Sequence, residues 1–110
     1  MEQLEKDVLA WISEHNASEA LRSQLAAATV KKRDYMRTGF FVYFEVPHEG
    51  MRVEPGFRTR CPDLQAPELV HGAGSSLFLR DGRVHYLELY ARGGFFPREL
   101  KRYSLVTPDQ

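Results

Sequence analysis

Ser75-Ser76-Leu77-Phe78-Leu79-Arg80 and Arg83-Val84-His85-Tyr86-Leu87-Glu88-Leu89-Tyr90 flank the dipeptide Asp81-Gly82. Both arms are rich in aliphatic and aromatic residues, and Asp-Gly between two such arms signals a two-residue type I′ hairpin. That turn needs φ > 0 at both central positions, which glycine adopts freely and aspartate tolerates. A two-residue turn also sets the register. Arg80 then faces Arg83, Leu79 faces Val84, Phe78 faces His85 and Leu77 faces Tyr86. Counting on, Glu88 lies opposite Ser75 and shares a face with Val84, Tyr86 and Tyr90. The turn, with an arginine on each side, is expected to be a solvated tip.

Upstream of the hairpin, His71-Gly72-Ala73-Gly74 reads as a loop leading into it, and a short strand is expected around Glu68-Leu69-Val70. Phe57 to Gly74, with two prolines inside it, is the least regular stretch. Further back, Phe40, Val42, Phe44 and Val46 alternate with Phe41, Tyr43 and Glu45, the period of a strand. That strand is expected to be long, starting as early as Thr29, with Gly39 marking a bulge or a close backbone approach. Pro47 to Gly50 forms a turn, after which Met51-Arg52-Val53-Glu54 returns as a short strand. Beyond the hairpin, Ala91 to Gly94 is a loop, Phe95-Phe96-Pro97 docks apolar rings, and Leu100 to Val106 forms a last strand.

The N-terminal quarter is helical. Leu4, Val8, Trp11 and Ile12 recur at i, i+4, i+7 and i+8, one face of a helix near 2–14. Trp11 lies on that apolar face and is expected to anchor the core. His15-Asn16 interrupts the pattern. Asn16 then reads as an N-cap with Glu19 three positions on, opening a second helix over 17–28 that buries Leu21, Leu25 and Ala28. The fold class is therefore α+β: two N-terminal helices packed on a mainly antiparallel sheet of four to six strands. Residues 1–110 form one domain, with a helical part over about 2–28 and a sheet part over about 30–106.

Composition supports that layout and excludes several functions. The chain has 110 residues, 43% hydrophobic and 27% charged, enough to close one core without metals or disulfides. Lys plus Arg equals Asp plus Glu at fifteen each, so no global charge draws it to nucleic acid or to an anionic membrane. The charge is nevertheless uneven. Residues 1–20 carry five acids and one base, residues 30–38 four bases and one acid, and residues 80–102 six bases and three acids. An acidic helix beside a more basic sheet accounts for this. Cys61 is the single cysteine and has no internal disulfide partner, which fits a reducing cytoplasm. No apolar run approaches a membrane span, and the acidic amphipathic start is unlike a signal peptide.

Catalytic patterns are weak. Gly72-Ala73-Gly74-Ser75-Ser76 lacks the following helix and lysine that make a phosphate loop work. His15, His48, His71 and His85 have no helical metal-pair spacing. A site from His71, His85 and Cys61 would need three unconnected segments, so no metal and no cofactor are expected. Ser75 and Ser76 lie near His71, but no nucleophile elbow surrounds them. No catalytic residue is assigned. Glu88 is the one acid set among aromatics, and an ion pair with Arg37 or Arg92 is its expected state. The mixture of Arg80, Arg83, Tyr86, Tyr90, Arg92, Phe95 and Phe96 is of the kind found at interfaces.

Taken together, Leu25 to Val30, Arg33, Thr38-Gly39-Phe40-Phe41 with Phe44 and Val46-Pro47, Gly72-Ala73-Gly74, Leu77 to Gly82 and Leu87-Glu88-Leu89-Tyr90 resemble a group of small uncharacterised bacterial proteins. Those have N-terminal helices and a C-terminal antiparallel sheet. The resemblance spans nearly the whole chain and implies that layout and a bacterial cytoplasmic origin. It implies no activity and no catalytic residues. Where such members carry Glu-Gly-Tyr, this chain has Glu88-Leu89-Tyr90, so a glycine-dependent bend is not carried over.

The expected function is that of a non-enzymatic protein-binding or accessory module, of the kind to which immunity proteins belong. Its binding residues are expected to be Glu88, Tyr86, Tyr90, His71 and Arg92. The alternative is a small enzyme or small-molecule binder, with Glu88, Tyr86 and His71 converging on a pocket at the sheet. The expected partner is another protein. A homodimer through a free sheet edge is the second arrangement, and RNA binding is the weakest class.

Overall fold

The computed structural model describes residues 1–108. Helix α1 (Gln3–His15) and helix α2 (Glu19–Ala27) precede six strands: β1 (Thr29–Met36), β2 (Gly39–Glu45), β3 (Asp63–Ala66), β4 (Leu69–Arg80), β5 (Arg83–Ala91) and β6 (Ser104–Val106). They form one open sheet in the order β1-β2-β5-β4-β3-β6, with every neighbouring pair antiparallel. The α+β class, the N-terminal helices and the antiparallel sheet are as the sequence predicts. The helices lie on one face only, and the molecule is about 20 Å along its shortest axis, the depth of two layers.

The two helices stop and start for local reasons. Ser18, not Asn16, caps α2, its Oγ accepting the Leu21 N–H at 3.1 Å. Asn16 is buried and serves α1 instead. Its Nδ2 donates to the Ile12 carbonyl at 2.7 Å and to the Arg60 carbonyl at 2.9 Å, while its Oδ1 accepts the Arg60 N–H at 2.8 Å. A buried amide needs donor and acceptor partners together. The Arg60 backbone supplies both, and the segment before β3 is thereby fastened to the end of α1. Trp11 is half-buried beside the core and stacks on His15 at 3.7 Å between centroids.

Several strand boundaries differ from expectation. The stretch from Thr29 to Val46 is two strands, β1 and β2, joined at Arg37-Thr38. Gly39 marks a close approach. A Cβ there would sit 2.1 Å from the Leu89 carbonyl oxygen of β5, so only glycine lets β2 and β5 pair at this point. The Gly72–Gly74 segment is not a loop but part of β4, which absorbs the short strand expected at Glu68–Val70. Met51–Glu54 forms no strand; Val53 is buried and gives one backbone hydrogen bond, to the Gly82 carbonyl at 2.8 Å. The last strand is confined to Ser104–Val106.

The hairpin forms at Asp81-Gly82, with φ of 53° and 74°, the left-handed pair that a type I′ turn requires. Its register holds for Arg80–Arg83 and Leu79–Val84 and then shifts. Phe78 pairs with Tyr86, Leu77 with Leu87, Ser76 with Glu88 and Ser75 with Leu89. His85 is the extra residue of a β-bulge. One added residue reverses the side-chain alternation beyond it. Val84, Leu87 and Leu89 therefore all enter the core, while Tyr86, Glu88 and Tyr90 face the other way. Without the bulge, burying Val84 would turn Leu87 and Leu89 outward. Burial of three aliphatic side chains, each stabilising by about 1.5–3 kcal/mol, selects the shifted register.

The tip is solvated at Arg80 and Asp81, as expected, but its backbone is docked on α2 at Gly82 and Val84. Gln24 of α2, 7% exposed, donates through Nε2 to the carbonyls of Gly82 at 2.9 Å and Met51 at 3.1 Å. Its Oε1 accepts the Val84 N–H at 2.8 Å. A second polar clamp joins α1 to β1. Glu5, fully buried, accepts Arg33 Nε at 2.6 Å and Arg33 Nη2 at 2.7 Å in a two-pronged ion pair. An acid in the first turn of a helix is thus a core residue with its own cation.

Tyr103 ties the C-terminal segment to α1 by donating its hydroxyl to Asp7. Burial, then the bond to Asp7 and its charge, pushes the Tyr103 phenol up from about 10 to about 12. An acid whose folded pKa is raised stabilises the fold below its unfolded pKa. That contribution declines as pH rises through 10 to 12. The tyrosinate difference spectrum between the wild type and Tyr103→Phe should titrate near 12, and Asp7→Asn should move it back towards 10.

The uncovered sheet face as a candidate functional site

The core face of the sheet presents Phe40, Val42, Phe44, Leu77, Leu87 and Leu89 to the helices. Strand alternation sends the neighbours of these residues to the opposite face, on which no described helix packs. There Phe41 and Tyr43 of β2, Tyr86 and Tyr90 of β5 and Phe78 of β4 stand on three adjacent central strands. All but Tyr90 touch one another in a chain of contacts. Phe78 stacks on Tyr86 at 4.5 Å, Phe41 meets Tyr86 edge-on at 5.5 Å, and Tyr43 lies 5.3 Å from Tyr86. Lys32 of β1 sits over the Tyr43 ring at 4.7 Å, and the His85 bulge closes the cluster edge-on to Tyr43 at 5.7 Å. Phe78 is 41% exposed although it belongs to this cluster.

Glu88 stands in the middle of this face. Its cross-strand partners are Phe41 on β2 and Ser76 on β4, and Tyr86 and Tyr90 flank it on β5. The expected ion pair does not form. Arg92 gives Nη2 to Asp63 at 2.8 Å and lies 6.0 Å from the Tyr90 ring, and the Asp63 contact raises the Arg92 pKa further. Arg37 lies over the Phe95 ring at 4.8 Å instead. Among the described residues the Glu88 side chain has no ion-pair or hydrogen-bond partner.

Of the five binding residues read from the sequence, Glu88, Tyr86, Tyr90 and Arg92 share this face. His71 does not join them. It lies five residues along β4 from Ser76, the partner of Glu88, a separation of roughly 15 Å, and is exposed beside Gly93. Glu88, Tyr86 and His71 therefore do not converge. The hollows of the molecule lined by α1 and the 96–103 segment, by the 52–57 loop, and by the hairpin tip contain none of the three. Phe41, Tyr43 and Phe78 were not singled out as site residues. The signal for Phe41 and Tyr43 is the strand at 40–46, which has aromatic residues on both faces although only one face can be covered.

The other reactive side chains are placed structurally. Ser75 donates its hydroxyl to the Pro62 carbonyl at 2.6 Å. Cys61 packs against the core, on the other side of the sheet from the His85–Tyr43–Tyr86 group. Among the described residues no three His, Cys, Asp or Glu side chains gather as metal ligands would. Burial pushes the Cys61 thiol up to about 11, against a smaller lowering by a backbone bond to Leu77. A rise from about 9 leaves roughly a hundredfold less thiolate near neutral pH. Cys61 should alkylate with iodoacetamide about a hundred times more slowly at pH 7.5 in the native protein than in urea.

No helix of the described residues is long and apolar enough to cross a membrane. Comparison with protein-family models, with characterised proteins and with solved structures finds no match.

Proposed function

We propose that this chain is a non-enzymatic protein-binding module, of the accessory or immunity type found in bacteria, and that the uncovered sheet face is its contact surface. The observation that supports this is the cluster of Phe41, Tyr43, Phe78 and Tyr86, half-exposed on three central strands with no layer over it. Rigid aromatic side chains on a flat scaffold give a large contact area at small cost in side-chain entropy, which suits recognition of another protein.

Aromatic rings on adjacent central strands would also suit stacking of RNA bases. The charges argue against it. Of the acids and bases that alternation puts on this face, Lys32 pairs with Asp34 and Arg92 with Asp63, Glu45 and Arg80 stand at the ends of β2 and β4, and the charge at its centre is the Glu88 carboxylate. A phosphate chain crossing that centre would be repelled.

The test is capture from native lysate by immobilised wild type beside Phe78→Ser and Tyr43→Ser, both on the uncovered face. A specific protein retained by the wild type, lost with both variants and insensitive to ribonuclease supports the reading. Equal retention by all three proteins, or ribonuclease-sensitive retention, overturns it.

A further inference from the structure

Ser76, a small side chain opposite Glu88, leaves a notch on this face, while the space beside it at Gly74 is filled by the Tyr90 ring. A Cβ at Gly74 would lie 2.4 Å from Cζ and Oη of Tyr90, so the Tyr90 ring lies directly on the sheet where that side chain is missing. Two residues along β4, Ser76 is the small partner of Glu88. Two residues further, Phe78 stacks on Tyr86 at 4.5 Å. The Tyr90 ring thus forms one wall and the Tyr86–Phe78 stack the other. Tyr86 and Tyr90 are four residues apart on β5, roughly 13 Å between Cα atoms. Between them stand the cross-strand pair Ser76 and Glu88, the latter with no side-chain partner among the described residues.

Aromatic walls and a free carboxylate share one preferred guest. A guanidinium can lie against a ring face through its positive charge and give two parallel N–H donors to a carboxylate in the same plane. The nearby cations do not supply it, because Lys32 and Arg92 are held by Asp34 and Asp63. We infer that the notch at Glu88 receives an arginine side chain of the partner protein. This rests on the reading of the uncovered face as a protein-binding surface and names the group that the face recognises.

The probe is the capped dipeptide acetyl-Arg-Arg-amide, titrated into the isotope-labelled protein while backbone amide shifts are followed. Shifts confined to residues 74–78 and 86–90 are expected, with a lysine dipeptide weaker because its ammonium cannot bridge both carboxylate oxygens. Glu88→Gln, nearly isosteric, should weaken the arginine probe at least tenfold, and Ser76→Phe should fill the notch and abolish the shifts. The circular dichroism spectrum of each variant must match the wild type. Absence of shifts at millimolar probe, shifts located elsewhere, or full affinity in Glu88→Gln would overturn the inference. The two readings can fail separately. A captured protein that needs Phe78 and Tyr43 but is indifferent to Glu88→Gln removes the arginine site and keeps the binding face. Arginine binding with no protein retained on the face does the reverse.

Discussion

Arg33→Met is expected to lower stability by about 3 kcal/mol, the low end for breaking a buried ion pair from one side. Glu5 is fully buried, while the Arg33 side chain is 37% exposed. Removing the arginine leaves a carboxylate in the core whose only remaining hydrogen-bond donor among the described residues is the Glu2 N–H at 3.1 Å. Removing the acid has a different outcome. In Glu5→Gln the side chain keeps its volume and an acceptor for Glu2, and the arginine returns to water from its exposed side, so the cost should be about 1–2 kcal/mol. The inequality between the two variants is the diagnostic result. The double variant Glu5→Leu with Arg33→Met removes both charges and should recover most of the loss. Urea unfolding measures all of them. A 3 kcal/mol loss in a domain of this size should lower Tm by on the order of 15 °C. Equal costs for the two single variants would mean that the pair is solvated rather than buried.

Gln24→Met should cost about 2–4 kcal/mol although it keeps the length and burial of the side chain. The amide makes three hydrogen bonds at 2.8–3.1 Å, to Met51, Gly82 and Val84. The Gly82 carbonyl retains the Val53 N–H, but the Val84 N–H is left without its acceptor. An unpaired buried polar group costs about 1–3 kcal/mol. The loss should also have a location. Amide exchange at Val84 and Val53 should accelerate well before that of the β2–β5 ladder, because the hairpin tip detaches from α2 first. Uniform acceleration across the sheet would indicate a general core defect instead.

These two clamps mark the limit of what sequence pattern conveys. Glu5 reads as a helix-start acid because a carboxylate suits that place whatever lies beyond it. Gln24 lies in a helix whose apolar spacing singles out only Leu21, Leu25 and Ala28, and nothing in that pattern marks it. Each owes its role to a residue 28 or 60 positions away, Arg33 or Val84, and local periodicity has no term for such a distance. Asn16 is a third example, since a residue type suited to a helix N-cap is equally suited to a buried site with a carbonyl and an amide in reach.

The candidate site was half legible. Alternation in β5 placed Glu88, Tyr86 and Tyr90 on one face, and this holds. Two parts of the expectation failed for the same reason, the irregular hydrogen bonding of β4 and β5. The His85 bulge moved Val84 to the core and brought Ser76, not Ser75, opposite Glu88. The Gly72–Gly74 stretch became strand rather than loop, and His71 was carried along it, away from the other candidates. Glycines that look like a loop in one dimension here admit close neighbours. One makes room for the Tyr90 ring, and Gly72, at φ 72°, approaches the Leu64 carbonyl.

By itself the sequence determined the two helices, the Asp81-Gly82 hairpin and the aromatic richness of the strands around it. These follow from 3.6- and 2-residue periods and from turn stereochemistry, which act over a few neighbours. Only the tertiary structure decided which aromatic face stays bare, how the hairpin arms align beyond Leu79, and why Glu88 lacks a cation. The core accepts one set of apolar side chains, and the bulge adjusts the register until Val84, Leu87 and Leu89 all enter it. The two arginines expected to pair with Glu88, Arg92 and Arg37, are engaged by Asp63 and by Phe95, residues that only the assembled sheet brings within reach.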